Sequence, residues 1–419
     1  MSRETFNVFY LMSFWLTTLI ILITYIGIAL GDFPGLRVNR TTIALIGVGL
    51  LLGFGLLAFD QVGSLLEINT LVLLFGMMII NANLQLAGFF RLAGSLILRF
   101  TRSPRSLLAL EVLVVGVLSA LFLNDTICLM LTPLIIDITV TAKRNPIPYL
   151  IALATASNIG SVATLTGNPQ NMIIGIASGI SYLDFAAALT PIALLGMGGI
   201  WVVLVLFYRE EFSAASFGHI EIPEPRLFRP LLYKSMFVTS GLLIAFVVGV
   251  PIAEAAFIAG CVLLFTRRVH PEKVMSQVDW NLLVFFAALF ILTGVIELNH
   301  LTDGIFTFLQ PYLGRGALAL SAITVLLSNL VSNVPAVLLL RPAVTALPNP
   351  EAGWLTLAAA STLAGNLTLL GSVANLIVAE IAAKRNVKLT FAEYTKSGFV
   401  ITLISLVLGV TWIQIFIWR

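Results

Sequence analysis

The chain has 419 residues, of which 59% are hydrophobic and only 10% charged, with a mean hydropathy of +1.04. A soluble domain carries about 25% charged residues, so this composition excludes an ordinary soluble protein and specifies an integral membrane protein. The net charge is +3, but in such a chain the placement of charge says more than its sum.

Apolar stretches of about 20 residues, enough for a helix to cross a ~30 Å hydrocarbon core, recur from end to end. They predict crossing helices at about 7 to 30, 41 to 58, 69 to 88, 148 to 178, 184 to 208, 229 to 250, 252 to 266, 280 to 297, 352 to 382 and 396 to 418. The first stretch ends in Gly31-Asp32-Phe33-Pro34 rather than a small-residue cleavage site, which predicts a retained helix. Two further apolar segments, 106 to 140 and 316 to 346, carry polar residues at their centres: Asn124-Asp125-Thr126 and Ser332-Asn333-Val334-Pro335. Each is read as two spans or as one re-entrant hairpin, and either choice returns the chain to its starting side.

That parity makes the topology testable against the basic residues. Threading the chain through these crossings leaves only Arg3, Arg315, Arg341 and Arg419 on one side and all other Lys and Arg on the other. The rich side is then cytoplasmic and both termini face outward. Cys128 and Cys261 lie within apolar runs and imply no disulfide, and His219, His270 and His300 share no metal-ligand spacing. Glu111 and Asp137 fall toward the cytoplasmic ends of the first hairpin and read as interfacial.

The chain also repeats itself. Aligning Asn124 with Asn333 superposes Pro133 on Pro342, and aligning Gly167 with Gly371 places Asn171 on Asn375. Aligning Asn69 with Asn281 places Leu71 and Val72 on Leu283 and Val284. The expected division is a first repeat at 1–208, a cytoplasmic linker at 209–228 and a second repeat at 229–419. Each copy has an odd number of crossings, so the second lies inverted, an arrangement associated with alternating access.

Four polar breaks remain, two hairpin tips and two interrupted helices, and unsatisfied backbone in hydrocarbon is costly unless it lines a cavity or is buried in protein. The symmetry predicts that they converge near the membrane midplane as a solute site. The candidate binding residues are Asn124, Asp125 and Thr126 at the first tip and Asn158, Thr166, Gly167, Asn168 and Asn171 in the first broken helix. Their counterparts are Ser332 and Asn333 at the second tip and Gly371, Ser372 and Asn375 in the second broken helix. Asp125 is the sharpest of these, since an intramembrane carboxylate calls for a proton, a cation or a hydrogen-bonded partner, and its symmetry mate is Val334. A sodium site near Asp125, Asn124 and Gly167 and a proton on Asp125 both remain open. No phosphate-binding loop is present, which leaves an ion gradient or a partner ATPase as the energy source and no cofactor beyond the coupling ion.

In these motifs the chain resembles the ion-transporter superfamily, and in Gly167-Asn168-Pro169-Gln170-Asn171 it looks most like the arsenite and silicic-acid efflux permeases. Sodium/proton antiporters and sodium-coupled dicarboxylate symporters belong to the same group. The resemblance implies a non-enzymatic homodimer in the cytoplasmic (inner) membrane with no nucleic-acid partner. It further implies an elevator mechanism: a scaffold at about 7–88 and 229–297 holds still while a transport part at about 106–178 and 316–382 carries solute across. Asn124-Asp125-Thr126 departs from the Ser-Asn-Thr tip of the dicarboxylate symporters, which favours a small neutral oxyacid over a dicarboxylate. A sodium/proton antiporter, a sodium-coupled carboxylate symporter and a channel-like or receptor protein on the same fold stay as alternatives.

Overall fold

The computed structural model describes residues 3–30, 38–213, 226–267, 269–301, 304, 307 and 311–418, with side chains from residue 12 onward. Most of the expected linker, 214–225 with His219, Glu221 and Glu224, lies outside the described residues. Among those described, every regular element is a helix.

The first half contains α1 (Arg3–Leu30), α2 (Arg40–Gly53), α3 (Ile68–Ala87), α4 (Phe89–Phe100), α5 (Pro104–Leu121), α6 (Asn124–Thr141), α7 (Pro146–Ser161), α8 (Pro169–Ser178) and α9 (Tyr182–Phe207). The second contains α10 (Arg229–Val248), α11 (Ile252–Leu264), α12 (Trp280–Leu298), α13 (Ala317–Val331), α14 (Asn333–Thr345), α15 (Pro350–Ala364), α16 (Val373–Lys384) and α17 (Phe391–Phe416). Helix starts follow from local chemistry. Ser103-Pro104, Asn145-Pro146, Asn168-Pro169 and Asn349-Pro350 each place a capping side chain before a proline at the first helical position. The cap accepts an orphan N–H, and the proline has none to lose.

Eight helices among the described residues are long and apolar enough to cross a membrane: Met12–Leu30 within α1, then α3, α5, α6, α9, α10, α12 and α17. The distribution differs from the ten crossings expected. The stretches at 41 to 58 and 252 to 266 become shorter helices, α2 and α11, while those at 148 to 178 and 352 to 382 are interrupted at the expected polar breaks. α2 stops at a turn around Gly55, whose φ of +68° is left-handed backbone that glycine adopts without strain.

Packing pairs the halves crosswise. α3 lies on α11 and α12 lies on α2, so the third helix of each half meets the second helix of the other. In the same way α6 meets α16, α8 meets α14, and α9 packs against α17. The broken helices form the hub: every residue from 148 to 175 and from 352 to 366 is buried. Around them the outer helices present large apolar side chains, including Trp15, Phe237, Ile244 and Phe265. In water such a surface would aggregate, whereas against acyl chains it is the expected lipid face.

Candidate functional site

The two helix breaks are built by the same bonds. Asn171 donates through Nδ2 to the carbonyls of Ser161 and Thr164, both at 3.0 Å. Asn375 donates to the carbonyls of Gly365 at 2.8 Å and Thr368 at 3.1 Å. Every partner in the second break lies 204 residues beyond its partner in the first. These carbonyls belong to backbone that has left the helix, and a single amide closes both. Asn168 and Ser372, again one register apart, then restart the chain as caps of α8 and α16, accepting the N–H groups of Asn171 and Ala374. The chain folds back so tightly that a Cβ on Gly167 would stand 2.4 Å from the Ser161 carbonyl oxygen, and one on Gly371 would stand 2.9 Å from that of Gly365.

Asn158 joins the halves. Its Oδ1 accepts from Asn124 Nδ2 at 3.0 Å and from Ser372 Oγ at 3.1 Å. Its Nδ2 donates to Asn366 Oδ1 at 2.8 Å and Asn375 Oδ1 at 3.1 Å. Two amide protons and two lone pairs are thereby all committed to protein. The backbone N–H of Asn124 donates to the Gly167 carbonyl at 3.0 Å, and Thr164 Oγ1 donates to the Ala120 carbonyl, so the first hairpin is tied to the first break.

In front of this network lies a cavity of about 200 Å³. Its wall contains Asn124 and Asp125, Pro169 and Gln170, Ser332, Asn333 and Val334, and Ser372 and Val373. These are the starts of α6, α8, α14 and α16, so four helix N-termini meet at one space. Each offers N–H groups with no partner inside its helix and the positive end of a helix dipole. The lining also includes Arg40 and Thr41 from the start of α2, and Asp279, Asn281, Leu282, Phe285 and Phe286 from the start of α12.

Two acceptors in this wall lack donors. Asn333 is 9% exposed and its Oδ1 has no hydrogen-bond partner among the described residues. No donor among the described residues reaches the carboxylate of Asp125. Ser332, which links α13 to α14 by itself, has φ +78° and ψ 160°, a region populated almost only by glycine. The second tip therefore holds backbone strain next to the cavity.

The expected residues divide into two groups. Asn124, Asp125, Ser332, Asn333 and Ser372 line the cavity, and Thr126 lines an adjoining one. Asn158, Gly167, Asn168, Asn171, Gly371 and Asn375 stand behind the wall and shape the breaks, and Thr166 is buried near Thr164 and Tyr182. The sequence reading missed Arg40, Asp279 and Asn281, because residues far apart in the chain reach the site only through crosswise helix packing. Arg341 pairs with Glu67 at 2.5 Å, and the basic side chain on the wall is Arg40. Glu111 corrects another expectation: α5 packs on α7, so this carboxyl is fully buried with neither oxygen hydrogen-bonded among the described residues. No group of three or more His, Cys, Asp or Glu suited to a metal occurs among the described residues.

Comparison with known proteins agrees with this architecture. Residues 18–364 match the family model CitMHS, described as citrate transporter. The chain is 32% identical to the silicon efflux transporter LSI3 of Oryza sativa subsp. japonica over 90% of its own length and 93% of that protein. It is 24% identical to the putative transporter arsB of Dictyostelium discoideum, over 90% of this chain and 87% of that one. Among solved structures it superposes on the YdaH transporter of Alcanivorax borkumensis with a TM-score of 0.60 at 16% identity, covering 97% of this chain and 98% of that one. A chain whose described residues are helical, with eight candidate spans among them, and with this kinship is a secondary transporter integral to the membrane, not an enzyme, and it belongs to the citrate transporter family.

Proposed function

We propose that this transporter moves a small neutral oxyacid, of the silicic-acid or arsenite kind, by cation-coupled alternating access. The observation that carries the reading is the chemistry of one cavity: four helix N-termini supply donors, while Asp125 and the Asn333 Oδ1 supply acceptors that need donors. An undissociated oxyacid has hydroxyls that both donate and accept, so it satisfies both sets at once. A tricarboxylate would bring further acceptors and negative charge against two aspartates, with Arg40 the lone basic group on the described wall. The relative at 32% identity is a silicon efflux transporter, which favours the same solute class.

The repeats at 1–208 and 229–419 supply the alternation in this reading. The scaffold is α1 to α3 with α10 to α12, and the hairpins and broken helices travel as an elevator within a homodimer of the cytoplasmic membrane. Both termini lie outside. Basic-residue placement puts the starts of α2 and α12 toward the cytoplasm, so a cavity flanked by Arg40 and Asp279 is the inward-facing state.

Arg40 on the wall favours a second reading, a carboxylate symporter. Counterflow into liposomes separates the two. Exchange of silicic acid or arsenite, unaffected by excess citrate, is the expected result. Citrate exchange without oxyacid exchange would replace the first reading with the second.

A further inference from the structure

Glu111 stands in α5, the first arm of the first hairpin, and α5 packs mainly on α7. The residue is 0% exposed, and neither carboxyl oxygen has a hydrogen bond or ion pair among the described residues. It lies away from the solute cavity, whose lining does not include it. Further along the same interface the two backbones touch: a Cβ on Gly160 would stand 2.3 Å from the Gly116 carbonyl oxygen. The helix pair is thus clamped, and the carboxyl is held inside it.

The groups around Glu111 lead toward one surface. Tyr149 of α7 is fully buried, with its hydroxyl in electrostatic reach of both Glu111 and Arg144. That hydroxyl donates to Glu211 Oε1 at 3.2 Å, and Glu211 also accepts the Asn145 N–H at 3.3 Å. Glu211 lines a cavity of about 510 Å³ together with Arg209 and Glu210, on the side that basic-residue placement makes cytoplasmic. The other elements on α5 offer the carboxyl no counter-charge. Arg91 and Arg99 of α4 are exposed, Asp137 of α6 pairs with Arg385, and Asp125 and Cys128 begin α6 at the tip. Tyr182 and Asp184 lie at the start of α9, and Arg105 of α5 itself donates to the Phe212 carbonyl.

We infer that Glu111 is a proton-binding residue outside the solute site, holding a proton in this state and exchanging it with the cytoplasm through Tyr149 and Glu211. An ionised carboxylate in this interface would have neither cation nor donor, so the neutral acid is the form that fits. In the exchange the Glu111 O–H bond breaks as its proton passes to the Tyr149 oxygen. The Tyr149 proton passes to the Glu211 carboxylate, and water in the cavity takes it from there; uptake reverses each step. A charge left on Glu111 would push the first hairpin arm away from the helix that carries Asn158. On the transporter reading, which this inference extends, solute exchange then slows as cytoplasmic pH rises.

The test records infrared spectra of the purified full-length protein in lipid, without solute, against Glu111→Gln, which has the shape of the neutral acid and cannot ionise. The carbonyl stretch of one protonated carboxyl should be present in the unaltered protein, fade as pH is raised, and be missing from Glu111→Gln. Glu111→Met, similar in volume, serves the same comparison if the glutamine variant does not fold. Tyr149→Phe should slow deuterium exchange of that band severalfold. Counterflow with equal pH on both sides should slow severalfold from mildly acidic to mildly alkaline buffer, and Glu111→Gln should hold level. A carboxyl spectrum unchanged by Glu111→Gln and Glu111→Met overturns the bound proton, and unchanged deuterium exchange in Tyr149→Phe overturns the route. The same pH response of counterflow in Glu111→Gln overturns the influence on transport. The spectra need no solute, so a failure of the oxyacid reading is told apart from a failure of this one.

Discussion

The two hairpin tips occupy equivalent places in the chain, yet they differ in chemistry. The first tip turns through Phe122 and Leu123, starts α6 with Asn124 and Asp125, and is tied to its neighbouring break by the Asn124 N–H and to the second break through Asn158. The second turns through Ser332 alone at φ +78°, starts α14 with Asn333 and Val334, and leaves the Asn333 Oδ1 unpaired. One tip carries charge on relaxed backbone, and the other carries no charge on strained backbone. The two tips share a frame, and Asp125 opposite Val334 with Leu123 opposite Ser332 makes them chemically unlike.

The largest effect should come from removing that asymmetry. Asp125→Asn is expected to lower gradient-driven uptake by about two orders of magnitude, equivalent to about 2.7 kcal/mol, with the melting temperature little changed. Transferring the acid in Asp125→Val with Val334→Asp should not restore uptake, because Asp279 and Asn81 stand beside the first tip. Restored uptake in liposomes would show the tips to be interchangeable.

Next come the breaks. Gly167→Ala drives a Cβ to 2.4 Å from a backbone oxygen, whereas Gly371→Ala drives one to 2.9 Å. Overpacking of this kind costs about 1 to 3 kcal/mol, and thermal melts should place Gly167→Ala at the upper end and Gly371→Ala at the lower. Asn171→Ala and Asn375→Ala should each cost about 1 to 3 kcal/mol because each strands two carbonyls, with Asn375→Ala the costlier since it also strands the Asn158 amide that bonds its Oδ1. Equal losses in thermal melts would mean that the Asn158 link contributes nothing to the second break.

Ser332→Gly should act in the opposite direction. Glycine populates φ +78° freely, so the substitution is expected to stabilise the fold by about 1 kcal/mol while slowing transport, if strain at the second tip helps it move. Stabilisation together with faster transport would assign that strain no part in the cycle. The smallest effect belongs to Arg341→Ala. Its pair with Glu67 is about one-third exposed on both sides, and such pairs are worth less than about 1 kcal/mol, so a shift in melting temperature near the error of the measurement is expected.

Much of this asymmetry is legible in the sequence. Asp125 opposite Val334 follows from aligning two hairpins, and Gly167, Asn171, Gly371 and Asn375 mark the breaks because glycine and asparagine in an apolar run signal backbone that needs side-chain partners. Their roles were less visible. The Nδ2 groups of Asn171 and Asn375 hold backbone carbonyls, and Asn158 has every hydrogen-bonding valence committed to protein. Polarity in a greasy segment announces that a partner exists, but solute, cation and neighbouring backbone satisfy an amide equally well. Glu111 misled in the other direction, since distance from the tip along the hairpin says nothing of the α7 surface that covers it.

What the sequence determined by itself was therefore whatever depends on solvent and local chain chemistry. Apolar length dictates membrane insertion, capping residues with proline set where helices begin, and a register of 204 between the two breaks makes one answer serve twice. Tertiary structure alone decided which distant residues share a space: Arg40 and Asp279 with the four N-termini, and Asn81 with Asp125. The physical reason is that helix-to-helix contact depends on how whole faces pack. No local pattern near Arg40, Asn81 or Asp279 encodes the approach of a hairpin tip some 45 to 155 residues away in the chain.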